Sequence, residues 1–84
     1  MKEIIYFWAP WCKVCPNLKP YLKKAEEAGA RVTAINVEED QATAANYNVM
    51  TLPTLVFLQD GSFIDQKTGF SDSVVQSLQE FAKE

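Results

Sequence analysis

The chemistry available to this chain of 84 residues is concentrated in two thiols. Cys12 and Cys15 are its only cysteines, and they lie three apart in Trp8-Ala9-Pro10-Trp11-Cys12-Lys13-Val14-Cys15-Pro16. That stretch also holds both tryptophans, and the chain has no histidine to act as a base or metal ligand. On a helix, residues i and i+3 have Cβ atoms roughly 5–6 Å apart. A disulfide needs about 3.5–4.5 Å, so a modest adjustment of the first turn closes the bond. A helix N-terminus also offers unpaired N–H groups and a partial charge of about +0.5, and both favour a thiolate. A cysteine of pKa ~8.5 is only about 3% thiolate at pH 7, whereas one lowered to ~7 is about half. The spacing suits a nucleophilic sulfur with a second sulfur in reach.

The surrounding pattern supplies the junction that this requires. Residues 3–8 read as a strand, apolar on both faces as a buried parallel strand is. A helix is expected from Cys12 to Ala28, with Cys15, Leu18, Leu22 and Ala25 on one face. Pro20 should kink it and Gly29 should end it. Residues 31–37 form a second strand, parallel to the first through a right-handed crossover. Asp40 is the expected N-cap of a short helix over residues 41–47. The run from Leu55 to Leu58 is a central strand, Asp60-Gly61 a hairpin turn, and residues 63–68 the return strand at the sheet edge. A last helix begins near Ser71 or Ser73, with Ser73 and Gln76 as a capping box. Its apolar face is Val74, Val75, Leu78, Phe81 and Ala82. The order β-α-β-α-β-β-α gives one α/β domain, residues 1–84, with a four-stranded mixed sheet of order 2-1-3-4 flanked by helices.

Composition narrows the function class. At 48% hydrophobic and 23% charged the chain reads as globular. A net charge of −3 without a basic cluster argues against nucleic acid or an anionic membrane as partner. The apolar run from Ile4 to Trp11 is too short to span a bilayer, and its flanks do not suit a signal peptide. A cytoplasmic, reducing compartment is expected, where two cysteines are catalytic or metal-binding rather than a structural staple.

Trp-Ala-Pro-Trp-Cys-x-x-Cys after a buried strand resembles the active site of the thioredoxin family. Pro20, Leu52-Pro53-Thr54, Asp60-Gly61 and Gly69 match the family's helix kink, cis-proline loop, hairpin and groove glycine. The resemblance covers the whole chain, which is close to the minimal thioredoxin-fold core and of glutaredoxin length. It implies exchange of a Cys12–Cys15 dithiol/disulfide with protein disulfides, with no cofactor and no metal. Cys12 would be the exposed attacking thiolate and Cys15 the resolving thiol. Pro53 would be cis, with the backbone of Thr51 and Leu52 offered to substrate. Trp11, Val14, Leu52 and Gly69 would form a shallow apolar groove. A monomer working with a thioredoxin reductase-like or glutathione reducing system is implied.

Three departures from the family pattern stand out. Lys13-Val14 replaces the usual Gly-Pro, placing a positive charge beside Cys12 and favouring a more oxidising couple. Pro16 replaces the usual lysine after the motif. Tyr6 and Ala34 replace a buried aspartate and its lysine, so both charges vanish together. Tyrosine is a poor base at neutral pH, and Tyr6 is expected to be structural or to donate a hydrogen bond. Other readings are glutathione-dependent reduction, a metal-binding dimer with four thiolates, and a redox-independent binding module.

Overall fold

The computed structural model describes residues 1–83 and shows a four-stranded mixed sheet of order β2-β1-β3-β4. The strands are β1 (Lys2–Trp8), β2 (Arg31–Asn36), β3 (Thr54–Gln59) and β4 (Ser62–Thr68). The helices are α1 (Lys19–Glu27), α2 (Gln41–Asn46) and α3 (Asp72–Lys83). β1 runs parallel to β2 and antiparallel to β3, and β3 is antiparallel to β4.

The period-2 alternation of β1 feeds two cores. Ile4 and Tyr6 point to one face and join Leu18, Leu22, Leu55, Phe57, Val74 and Leu78, under α1 and α3. Ile5 and Phe7 point to the other and join Ala44, Val56 and Leu58, under α2. The β3–β4 turn places Asp60 and Gly61 both at positive φ, as a two-residue hairpin turn of this type requires.

Three local expectations are corrected. The helix expected from Cys12 to Ala28 is a 3₁₀ turn over Cys15–Leu18 followed by α1 from Lys19. Prolines dictate the division. Pro20 has no N–H to give Pro16, and its ring disfavours an α-helical carbonyl four residues back. Lys19 instead donates to the Pro16 carbonyl in the tighter 3₁₀ pattern. The short helix stops at Asn46, one residue earlier than expected, with Tyr47 as its C-cap. The N-cap of α3 is Ser71 rather than Ser73: its Oγ accepts the Val74 N–H at 3.3 Å. This frame turns Val74 and Leu78, one helical turn apart, onto the sheet.

Asp40 caps α2 as expected, accepting from the Thr43 hydroxyl at 2.8 Å and the Thr43 N–H at 3.1 Å. Those two bonds, the side-chain one foremost, hold its carboxyl below the ordinary 3.8. A depressed carboxylate favours the fold above its unfolded value, and that contribution is lost as pH falls through the folded one. Asp40→Ala is therefore expected to lower the urea midpoint at pH 7, with the gap from wild type closing in strong acid. Leu78, fully buried, tests the docking of α3. Leu78→Ala is expected to cost about 2–5 kcal/mol in urea unfolding, with an unchanged m-value.

Candidate active site

Sheet register brings three chain segments to one end. β1 ends at Trp8, and its Phe7 lies opposite Thr54, the first residue of β3. Thr54 in turn faces Thr68, the last residue of β4. The cysteine stretch after β1, the Pro53 loop before β3 and Gly69 after β4 therefore meet at this end. Hydrogen bonds fasten the last two together: Gly69 N–H donates to the Pro53 carbonyl at 2.7 Å. The buried Thr54 hydroxyl donates to the Thr51 carbonyl at 2.6 Å. Gly69 takes a φ of +84°, which a side chain would strain. The Leu52–Pro53 peptide is cis.

After β1 the chain turns tightly, with Cys12 N–H donating to the Ala9 carbonyl at 3.1 Å. Cys12 and Cys15 are joined as a disulfide, their Cα atoms 5.5 Å apart. Cys15 is 1% exposed. Cys12, expected to be exposed, is only 8% exposed, because its bond to Cys15 draws it against the core under α1 and α3. Trp11 (62% exposed) and Val14 stand out on either side of it, and Leu52 packs against the same core cluster. Lys13 is exposed between the two cysteines. The electrostatic argument from a helix start is also corrected. Cys12 precedes even the four-residue 3₁₀ turn, and the nine-residue α1 begins only at Lys19. The macrodipole, which acts within the first turn of a helix, is therefore a smaller influence on Cys12 than the sequence suggests.

Behind the disulfide lies Tyr6, almost wholly buried. Its hydroxyl donates to the Cys15 carbonyl oxygen at 2.7 Å. Burial pushes its phenol above the ordinary 10.0, so at neutral pH it is a neutral donor. Ala34, its neighbour on the edge strand β2, is exposed. The pair lines a groove of about 450 Å³ with Leu22, Val32 and the side chains of Lys19, Lys23 and Glu26.

Three residues near this end lie outside the site that the sequence reading assigns. Met50, 92% exposed, precedes the Pro53 loop, and Phe70, 39% exposed, follows Gly69 with its ring 6.5 Å from that of Tyr21. Their only signal in the sequence is adjacency to those two segments. The third is Thr54, whose role depends on a buried hydroxyl that sequence cannot place. Among the described residues no group of three or more Cys, Asp or Glu is placed to hold a metal. None of the helices described is long and apolar enough to cross a membrane.

A strand delivering a Cys-x-x-Cys disulfide opposite a cis-proline loop defines a class of redox proteins, and comparison with known proteins agrees. The thioredoxin family model matches residues 1–84. The thioredoxin of Bacillus subtilis (strain 168) is 38% identical over 77 residues, covering 88% of this chain and 72% of that protein. Among solved structures, a point mutant of the thioredoxin of Halobacterium salinarum NRC-1 superposes with a TM-score of 0.82 at 31% identity. That match covers 96% of this chain and 74% of the other. Oxidised mitochondrial thioredoxin 3 of Saccharomyces cerevisiae gives 0.82 at 28% identity, over 94% and 77% of the two chains. The chain belongs to the thioredoxin family. It is a thiol–disulfide oxidoreductase, and membership implies protein disulfides as substrates and a reductase-type partner.

The Thr54 hydroxyl gives a direct test of the loop. Thr54→Val keeps the shape but leaves the Thr51 carbonyl without this donor. It is expected to cost about 1–2 kcal/mol of stability. It should also raise the KM for a protein disulfide more than it lowers kcat.

Proposed function

We propose that Cys12 is the attacking thiolate and Cys15 the resolving thiol of a reductant of protein disulfides. The observation that supports this ordering is the unequal burial of the two bonded sulfurs. Cys12 keeps the larger exposure and sits between Trp11 and Val14, while Cys15 is sealed beneath it. In the reduced protein the Cys12 thiolate attacks one sulfur of a substrate disulfide, expelling the first substrate thiolate. Cys15 then attacks the Cys12 sulfur of the mixed disulfide, restoring the Cys12–Cys15 bond and releasing the second.

Trp11, Val14, Leu52 and Gly69 form the substrate groove. The polypeptide backbone at Thr51 and Leu52 pairs with an extended substrate segment across the cis Pro53. Lys13 tunes the couple: a cation beside Cys12 stabilises the thiolate, hence the reduced form, hence a higher potential. Val14, in place of a rigid proline, frees the loop between the sulfurs. The protein works as a single domain over residues 1–84 and as a monomer, in the cytoplasm. A thioredoxin reductase-type enzyme recycles it, and it needs no cofactor beyond its own disulfide.

The deciding assay reduces a protein disulfide with wild type, Cys12→Ser and Cys15→Ser, each coupled separately to a thioredoxin reductase and to glutathione. Wild type should turn over with the reductase. Cys12→Ser should be inert, and Cys15→Ser should stop as a trapped mixed disulfide. Activity surviving in Cys12→Ser would overturn the order of attack, and turnover with glutathione alone would overturn the choice of reductant. The redox potential is expected to lie above roughly −270 mV, and Lys13→Gln should lower it.

A further inference from the structure

The resolving step raises a question that the disulfide alone leaves open. Cys15 is buried, and its thiol proton must go somewhere when it attacks. Tyr6, against the Cys15 backbone, is neutral and already donates its proton to the Cys15 carbonyl. The groove beside it is lined by two strands and one helix. β2 contributes Val32 and Ala34, β3 contributes Leu55 as the partner in register, and α1 contributes Lys19, Lys23 and Glu26. Glu26 is the one carboxylate lining the groove, and it is exposed near the far end of α1.

We infer that Tyr6 is a positioning residue for resolution, acting through its hydrogen bond to the Cys15 carbonyl. This rests on the assignment of Cys12 as attacker and Cys15 as resolver. The 3₁₀ turn that carries Cys15 has no side-chain cap at its N-terminus. The Tyr6 hydroxyl ties its first carbonyl to β1, a strand paired on both edges, so the Cys15 sulfur is held at bonding reach of Cys12. The acceptor is a backbone oxygen, so the tie is independent of the redox state of either sulfur. The chemistry balances without a protein base. The bond between the two cysteine sulfurs forms, and the bond from Cys12 to the substrate sulfur breaks. The cysteine pair is oxidised and the substrate sulfur is reduced; the Cys15 proton passes to the departing alkyl thiolate of a protein substrate, or to water when the leaving thiolate is a weak base.

The test is a stopped-flow reaction of the reduced protein with one equivalent of an aromatic disulfide whose thiolate is coloured. Two releases are read, the first from attack by Cys12 and the second from resolution by Cys15, each across about pH 5 to 10 as an assay range. Tyr6→Phe keeps the ring and removes the hydroxyl. It is expected to slow the second release roughly fivefold, the factor equivalent to the ~1 kcal/mol of one hydrogen bond. The first release should change less than twofold, and the pH profile of the second should keep its shape. Equal slowing of both phases would reduce Tyr6 to a general packing role. An unchanged second phase, or the loss of an ionisation from its profile, would also overturn the inference. Failure of the attacker and resolver assignment shows separately, as a first release that survives in Cys12→Ser.

Discussion

Burial of β1 on both faces is the constraint from which the rest of the molecule follows. A strand paired on both edges and covered on both sides has no freedom to shift register without turning its side chains to the wrong core. Ile4 and Tyr6 are committed to the core under α1 and α3, Ile5 and Phe7 to the one under α2. The end of that strand is therefore fixed in space, and Cys12 follows it by a single hydrogen-bonded turn. A redox pair needs such a mount: two sulfurs that bond and separate must do so against a frame that does not move.

The site is assembled by register as much as by motif. Phe7, Thr54 and Thr68 stand in a row across three strands, and each lies next to a segment that frames the disulfide. The bonds from Gly69 to Pro53 and from Thr54 to Thr51 then tie the loops into one surface. Tyr6 performs the corresponding service from beneath. Its aromatic body packs in the core while its hydroxyl reaches the first carbonyl of the 3₁₀ turn. A charge at the Tyr6 position would meet the desolvation cost of burial, whereas Ala34 beside it is exposed. A tyrosine there satisfies a buried carbonyl with a neutral donor instead.

Much of this is legible in the chain. Apolar alternation marks the strands, Asp60-Gly61 marks the hairpin, and Asp40 marks the cap of α2, because each is a local preference expressed over a few residues. The places where sequence and structure part share a cause. The start of α1 reads too early because the competition between 3₁₀ and α hydrogen bonding at Pro16 and Pro20 is settled by small energies in context. Ser71 and Ser73 both read as N-caps, and only the docking of Val74 and Leu78 chooses between them. Cys12 reads as exposed from its place after the strand. Its burial comes from being drawn onto a core that sequence does not draw.

The sequence by itself determined the reaction: two cysteines three apart behind Trp-Ala-Pro-Trp, with a proline loop and a glycine downstream, belong to thiol–disulfide exchange. It determined the fold as well, because hydrophobic period and turn chemistry are written locally. Tertiary structure alone decided which groups surround the sulfurs. Thr54 anchors the loop, and Tyr6 meets the Cys15 carbonyl across nine residues of chain. Such contacts depend on distances between distant segments, set by the packing of the whole core around β1, and no local pattern records them.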